Sequence, residues 1–427
     1  MVVRGSASEY IKQYIPDAPH PLQKPVEIGR DVYARIQGIG PLVLGSNGEV
    51  SVFTAVKHLA RARPEVKRLL SYSSTAIGKK IDDEVVENPD DPWFDTVLLF
   101  RPDVLVDQNG KVYTGELEIV VGGAPIISLL QAYIYGEHRI LDGLLAAVGR
   151  CVENFGIDGA VAFLFDWHGR SHIGDHTWIP KHYGSHLHVA NMRAVDFRRD
   201  GVYVRDERLA LGYAFVKAYK LDTHTHPKDK QLLRCWLERK LLLVSPPSLV
   251  MDNKVIIYLL QEDKYAGFWR QSLGRPRYEA LRAYLPKTYL VTEHSLQDDP
   301  LLRQLVAAPW NYGRFVLKHA ALWGSKMLIV SPRSGQGGEG WSRRVAAMLK
   351  ATSQFGPLLL QESVDTMRLP ASTGSGTVLG RTKFTPFFLY DPFTKACTSV
   401  GMSVNIAPSG FRAHLTSQST FALVEGE

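Results

Sequence analysis

At 427 residues, with 45% hydrophobic and 22% charged side chains, the chain is long enough for two or three domains and has the balance of an ordinary soluble globular protein. The net charge of +7 and pI near 9.1 suit an anionic ligand, yet Lys and Arg are interleaved with Asp and Glu without a polybasic tract, so nucleic acid is not expected as a partner and a polyphosphate accounts for the excess. No signal-peptide pattern follows Met1, no apolar run approaches the roughly 20 residues of a bilayer span, and Cys151, Cys235 and Cys397 lie far apart, so a cytoplasmic protein with reduced thiols and no membrane partner is expected.

Residues 1 to about 95 read as mixed helix and strand, with a helix around Phe53 to Leu69 and an acidic loop from Asp82 to Asp95. The run Thr96–Phe100 is a strand, Asp103–Asp107 alternates, Asn109-Gly110 is a hairpin turn, and Val112–Val120 returns as the partner. Helical periodicity runs from Ile126 to about Asn154, then a strand at Gly159–Phe165 and a His-rich loop. Strands follow at His186–Val204 and Gly212–Tyr219, a helix at Lys228–Arg239, and a strand at Leu241–Val244 that empties into Ser245-Pro246-Pro247. Asp252-Asn253-Lys254 then opens the next helix. This alternation across about 155 to 265 predicts an open α/β layer. The tail from Phe384 to Val424 is strand-rich, with Thr385–Tyr390 its clearest piece.

Two stretches carry candidate chemistry. In the first, Phe315–Leu317 is a strand that delivers Lys318 to its end, where a phosphate accepts a point charge. Lys326 follows, then a loop with Gly335, Gly337, Gly338 and Gly340 that lets backbone N–H groups curl over phosphates, then an amphipathic helix opening near Trp341. Leu358–Leu360 hands over to Gln361-Glu362-Ser363-Val364, whose backbone offers an adenine edge one acceptor and one donor. In the second stretch, alternation puts Arg101 and Asp103 on one face of their strand, and Glu116 and Glu118 on one face of the return strand. Three carboxylates and a guanidinium suit magnesium, which takes oxygen ligands and bridges substrate phosphates, with Arg101 neutralising charge on a transferring phosphoryl group. A snorkelling strand-end lysine and an exposed hairpin with cross-strand ion pairs are the plainer readings of the same residues. His168, His172, His176, His182, His186 and His188 have spacings that suit zinc on a helix, but Gly169, Gly174, Pro180 and Gly184 break any helix there, so a structural or substrate-lining role is read. Thr223–Pro227 reads as a turn.

Lysine at a strand end, a glycine loop, a helix and a strand ending in Gln-Glu-x-Val together resemble the ATP-grasp fold. An Arg101-x-Asp103 followed by Glu116-x-Glu118, well before the lysine strand, is similar to the pattern of the circularly permuted ATP-grasp proteins, among them glutathionylspermidine synthetase. The segment SPPSLVMDNK, residues 245 to 254, resembles the turn and lysine helix that precede the ATP-binding lobes of that group. The resemblance spans about residues 95 to 425 in order of elements. It departs in two places: Glu118 stands where Asn is expected, and the loop after Lys318 lacks the usual proline and has fewer glycines.

The resemblance implies an α+β / α/β chain, a pre-ATP-grasp α/β layer plus an ATP-grasp fold, circularly permuted. Its expected parts are 1-155 with the metal-binding hairpin, 156-270 as the α/β layer, and 271-427 as the nucleotide-binding lobes. The implied activity is an ATP- and magnesium-dependent carboxylate–amine ligase that forms an amide through an acylphosphate and releases ADP and phosphate. Its partners would be a small-molecule or peptide carboxylate and an amine acceptor. Arg101 would be catalytic; Lys318, Lys326, Gln361, Glu362 and Val364 would hold ATP; Asp103, Glu116 and Glu118 would hold magnesium. A small-molecule kinase on the same fold, or a non-catalytic nucleotide-binding protein with a decayed site, are the alternatives. The two halves of the site should meet at one phosphate, with the carboxylates of Asp103 and Glu116 within about 10 to 12 Å of the Lys318 ammonium.

Overall fold

The structure, a computed structural model, describes residues 7–15, 23–46, 48–119, 124–165, 176–184, 186–214, 226–320, 328–331, 339–352, 356–373, 376–408 and 420–426. These residues form three sheets with helices packed on them. Among the described residues no helix is long and apolar enough to cross a membrane.

In the N-terminal part, three sequence readings are corrected, each for a local reason. The helix expected around Phe53 to Leu69 is two, Val52–Ala62 and Pro64–Leu70. Pro64 lacks an N–H and forces the residue before it out of the helical region, so Arg63 is extended with φ −134°. The acidic stretch from Asp82 is not a loop at its start, because Ala76–Glu87 is a helix capped by the Thr75 hydroxyl, which accepts from the Gly78 N–H. Ile77, Ile81 and Val85 recur every four residues and outweigh the charges around them. The long helical stretch after Ile126 divides into Ala124–Tyr135 and Arg139–Phe155, with Gly136 at φ 76° closing the first.

The strands are numbered β1–β17 along the chain. A six-stranded sheet contains β4 (Ala160–Phe165), β5 (Leu187–Asn191), β6 (Val195–Arg198), β7 (Gly201–Val204), β8 (Glu207–Ala214) and β9 (Leu242–Val244). Of these, β5, β4, β8 and β9 run parallel, which is the open α/β layer that the alternation predicts. The long strand read from His186 is three, β5, β6 and β7, separated by a helical turn at Met192–Ala194 and by the bend at Arg199-Asp200.

A four-stranded antiparallel sheet has the order β10 (Thr288–Val291), β13 (Leu358–Glu362), β11 (Phe315–His319), β12 (Ile329–Val330). It has its own small core, in which Leu305, Leu317, Trp341 and Leu360 meet. The seven-stranded sheet is ordered β1 (Val26–Ile28), β17 (Thr420–Gly426), β16 (Ala396–Pro408), β15 (Gly376–Asp391), β2 (Leu99–Val106), β3 (Val112–Glu118), with β14 (Arg368–Thr373) paired to β15. Strands from the two ends of the chain thus lie side by side: Phe384 pairs with Val104 and Phe388 with Phe100. One face of this sheet is apolar, with Val104, Val404 and Ile406 in the main core, and its other face carries Arg101, Asp103, Lys383 and Asn405.

Candidate active site

The site is built on the β2–β3 hairpin. Along β2, Arg101, Asp103 and Leu105 are partly exposed and alternate with buried Pro102, Val104 and Val106. On β3 the register slips by one residue: Asp103 faces Glu116 while Val104 faces Thr114, so Gly115 is the extra residue of a β-bulge. The bulge reverses the alternation, which puts Tyr113 and Glu116, three residues apart, on the same partly exposed face. It also removes the Gly115 carbonyl from the regular ladder, and the Lys318 ammonium takes it up at 3.0 Å.

Lys318 is buried at the end region of β11 rather than lining an open groove. Besides Gly115 it donates to Gln361 Oε1 at 3.0 Å and lies 3.8 Å from Glu116 Oε1. Burial pulls its ammonium down from 10.5 to about 8; the Lys254 charge pulls the same way, while Glu116 and Asp103 oppose it. The Gln361 side chain is itself fixed, donating to Thr288 Oγ1 at 3.1 Å, and Thr288 donates to the Pro286 carbonyl at 2.8 Å. Gln361 therefore orients Lys318 through its side chain.

Two further cations complete the cluster, and the sequence reading assigned neither of them to it. Lys254 Nζ lies 3.5 Å from Glu116 Oε1, and its backbone N–H donates to Ala320 O at 3.2 Å, just beyond β11. Lys383 Nζ lies 2.8 Å from Asp103 Oδ2. Arg101 bonds Glu118 and stands 3.7 Å from Asp103 Oδ1. Four cations thus interleave with three carboxylates. The signal for Lys383 is a charged residue on a strand of otherwise buried aromatic and β-branched neighbours; for Lys254 it is the lysine that ends the 245–254 segment.

That segment is held from behind by Asp82. Its carboxylate accepts from the hydroxyls of Ser71, Ser73 and Ser248 at 2.7, 2.9 and 2.7 Å and from the Leu249 N–H at 3.0 Å. Burial pushes the Asp82 carboxyl up to about 6 against these four bonds, which favour the charged form.

Next to the cluster, a cleft of about 300 Å³ lies between the hairpin turn Asp107–Asn109, Tyr113 and Glu362–Asp365. The turn is tied to the far wall: Gln108 Nε2 donates to Thr366 O at 2.7 Å and the Met367 N–H to Val106 O at 2.7 Å. Of the amides expected to face a base, those of Glu362 and Ser363 donate to Lys287 and Arg314 carbonyls, and Gln361 sits mid-sheet between Thr288 and Val316. Val364 lines the cleft.

Lys326 and Gly335, Gly337 and Gly338 lie outside the described residues, as do His168, His172 and Thr223–Thr225; Gly340 lies in the helix Glu339–Lys350. The remaining histidines are dispersed. His176 packs on Phe163 and Phe165, His182 on His138 and Tyr183, and His188 pairs with Glu207 at 2.8 Å. His226 caps the helix Pro227–Leu237. Among the described residues no three His, Cys, Asp or Glu side chains converge as a ready-made metal cage. Magnesium needs only one or two carboxylates when phosphate oxygens fill its other positions, and Asp103 and Glu116, opposite each other in the hairpin, are hard oxygen donors of that kind. The donor set fits a metal that arrives with a polyphosphate.

A layer with a parallel β5-β4-β8-β9 core lies beside an antiparallel four-stranded sheet and a seven-stranded sheet that is antiparallel except at β1–β17, with the lysine strand facing the carboxylate hairpin; this is a mixed α/β architecture. Its likeness is to a glutathione synthetase-like effector from Globodera pallida, in apo form: TM-score 0.54 at 12% identity, over 99% of this chain and 96% of that one. A D-alanyl-alanine synthetase A from Vibrio cholerae aligns at TM-score 0.29 and 8% identity over 61% of this chain and 88% of that one, too distant to carry an argument. No family profile and no curated protein matches the chain. At such identity the likeness shows the fold.

Proposed function

We propose that the chain is an ATP- and magnesium-dependent carboxylate–amine ligase that releases ADP and phosphate, on a circularly permuted ATP-grasp fold. One observation carries the reading. The Lys318 ammonium, at the end of a strand that leads by way of Gln361 to the base-side cleft, meets the Gly115 carbonyl and Glu116 of the carboxylate hairpin. The order of elements, hairpin first and lysine strand about two hundred residues later, supports the permutation.

In this reading the base lies in the cleft against Tyr113, with its edge on the Val364 N–H and on a backbone carbonyl of the 361–364 segment; the Glu362 side chain is at the cleft rim. Lys318 and Lys254, joined by Lys326, hold the phosphates as point charges. Asp103, Glu116 and Glu118 would be the oxygen donors for magnesium, which would supply neutralisation of phosphate charge. A substrate carboxylate oxygen attacks the γ-phosphorus, the bond to ADP breaks, and Arg101 stabilises the charge that develops. The amine then attacks the acyl carbon, the carbon–oxygen bond breaks with its electrons leaving on phosphate, and the amine proton goes to solvent. Positioning and charge neutralisation suffice, so no side-chain nucleophile is required. A small-molecule or peptide carboxylate and an amine are the partners, in a cytoplasmic setting without nucleic acid.

The test is release of ADP and phosphate that depends on both an acid and an amine. Release of AMP and pyrophosphate excludes the mechanism, and a stable phosphorylated product formed without amine makes the chain a kinase. A second reading, a nucleotide-binding protein without turnover, is favoured by the Arg101–Glu118 ion pair, in which the residue standing where Asn is expected is already neutralised. ATP binding without turnover across a broad panel of acids and amines would support it.

A further inference from the structure

Each carboxylate of the hairpin is already matched by a cation of the chain itself. Asp103 Oδ2 lies 2.8 Å from Lys383 Nζ, and Asp103 Oδ1 lies 3.7 Å from Arg101. Glu116 Oε1 lies 3.5 Å from Lys254 and 3.8 Å from Lys318, and Glu118 bonds Arg101. Four cations against three carboxylates leave the cluster one positive charge in excess. The side chains of Lys254 and Lys383 are 7% and 9% exposed, those of Asp103 and Glu116 16% and 20%. The carboxylates thus reach water more than the lysines that neutralise them do.

The backbone holds both lysines where they are. Lys383 sits in β15 between β16 and β2: it pairs with Asn405 on one side, and the next residue, Phe384, pairs with Val104 on the other. Lys254 is anchored through its N–H to Ala320 O at 3.2 Å, at the end of the segment that Asp82 fixes by way of Ser248 and Leu249.

A buried ion pair adds little to stability, because desolvation offsets the attraction, whereas breaking one leaves the surviving charge uncompensated. A bare divalent cation on Asp103 meets that penalty and a second one. It takes the oxygen that Lys383 uses, and among the described residues Asp103 is the one carboxylate paired with Lys383. It also adds two charges to a cluster that is already positive. A polyphosphate relieves both costs, since its oxygens accept from the displaced ammonium, coordinate the metal and bring negative charge with them.

We propose that Lys383 and Lys254 are built-in counter-ions that keep a bare divalent cation off Asp103 and Glu116, so that the hairpin admits metal only together with a polyphosphate. This deepens the ligase reading, on which it rests for the roles of Asp103 and Glu116. It makes metal and nucleotide binding reciprocal, each strengthening the other by the same factor.

Titration of the full chain with Mn2+ in the absence of nucleotide tests it, with bound and free ion read by electron paramagnetic resonance; Mn2+ favours the same hard oxygen ligands as magnesium. The wild type should bind free Mn2+ only weakly. Lys383→Met removes the counter-ion of Asp103 and should tighten free Mn2+ binding at least tenfold, and Asp103→Asn in the same chain should cancel that gain. Lys254→Met should give a gain of its own that Glu116→Gln cancels, which keeps the test in force if Lys383→Met does not fold. A wild type that binds free Mn2+ as tightly as the lysine variants do, or gains that survive loss of the carboxylates, overturns the proposal. Calorimetric titration with a non-hydrolysable ATP analogue is read separately. A wild type that ignores the analogue strikes at the ligase reading instead, and the Mn2+ gains still decide the role of the two lysines.

Discussion

The Lys318 ammonium donates to the Gly115 carbonyl at 3.0 Å across 203 residues of chain. That bond joins the lysine strand to the bulge of the carboxylate hairpin, and Glu116, the residue after the bulge, is 3.8 Å from the same nitrogen. The groups proposed to hold the nucleotide and those proposed to hold the metal therefore lie within contact distance of each other.

The first concerns turnover against binding. Asp103→Asn and Glu116→Gln remove charge from the metal side, so each should lower kcat by about a hundredfold or more while nucleotide affinity changes less. Steady-state ADP release and titration calorimetry on the same preparations give the two numbers. A variant in which affinity falls and kcat holds would reverse the roles assigned to the two sides.

A second prediction uses the Lys318 ammonium, pulled down to about 8 by burial. Between about 8 and its ordinary value of 10.5 the unfolded chain binds more protons at this group than the folded one, so its contribution to stability rises with pH across that window. Below 8 the cost of burying the charge is present in full. A triphosphate needs the charged form, so binding should weaken above pH 8 by about tenfold per unit and should take up a proton. Calorimetry in buffers of different ionisation heat reads the uptake, which Lys318→Met should abolish.

Asp82 is a third test. Asp82→Ala leaves three hydroxyls and one N–H without their acceptor and should cost about 3 kcal/mol in urea unfolding. Because burial raises this carboxyl to about 6, the folded chain binds more protons than the unfolded one between 3.8 and 6, and its contribution to stability falls as pH rises through that window. Asp82→Asn should flatten this dependence. Since Asp82 holds the segment that ends on Lys254, both variants should also weaken nucleotide binding.

Tyr113 gives a local test of the base cleft. Tyr113→Ala should weaken nucleotide binding about three- to tenfold through lost ring contact, with little change in melting temperature because the side chain is only half-buried. Unchanged affinity would place the base elsewhere.

The hairpin was legible because its signals are local: Asn109-Gly110 sets the turn, and strict alternation puts Arg101 and Asp103 together. The bulge at Gly115 was not, since nothing in Thr-Gly-Glu distinguishes a bulge from regular pairing, and with it went the contact of Gly115 with Lys318. The charged neighbours of Asp82 point to a loop, and the four-residue recurrence of Ile77, Ile81 and Val85 overrides them to make it helical. Lys254 and Lys383 reach the cluster only through tertiary pairing, Lys383 by a strand that meets β2 from the far end of the chain. Local pattern carries no record of such an encounter.

In the proposed ligase both halves of the site close on one magnesium–ATP. Titration of magnesium–ATP into the full chain at neutral pH tests it most directly, with Lys318→Met and a magnesium-free titration alongside. Saturable binding that weakens at least tenfold in Lys318→Met, and again when magnesium is withheld, is the predicted result. No binding by the wild type, or binding indifferent to both Lys318 and magnesium, would contradict it.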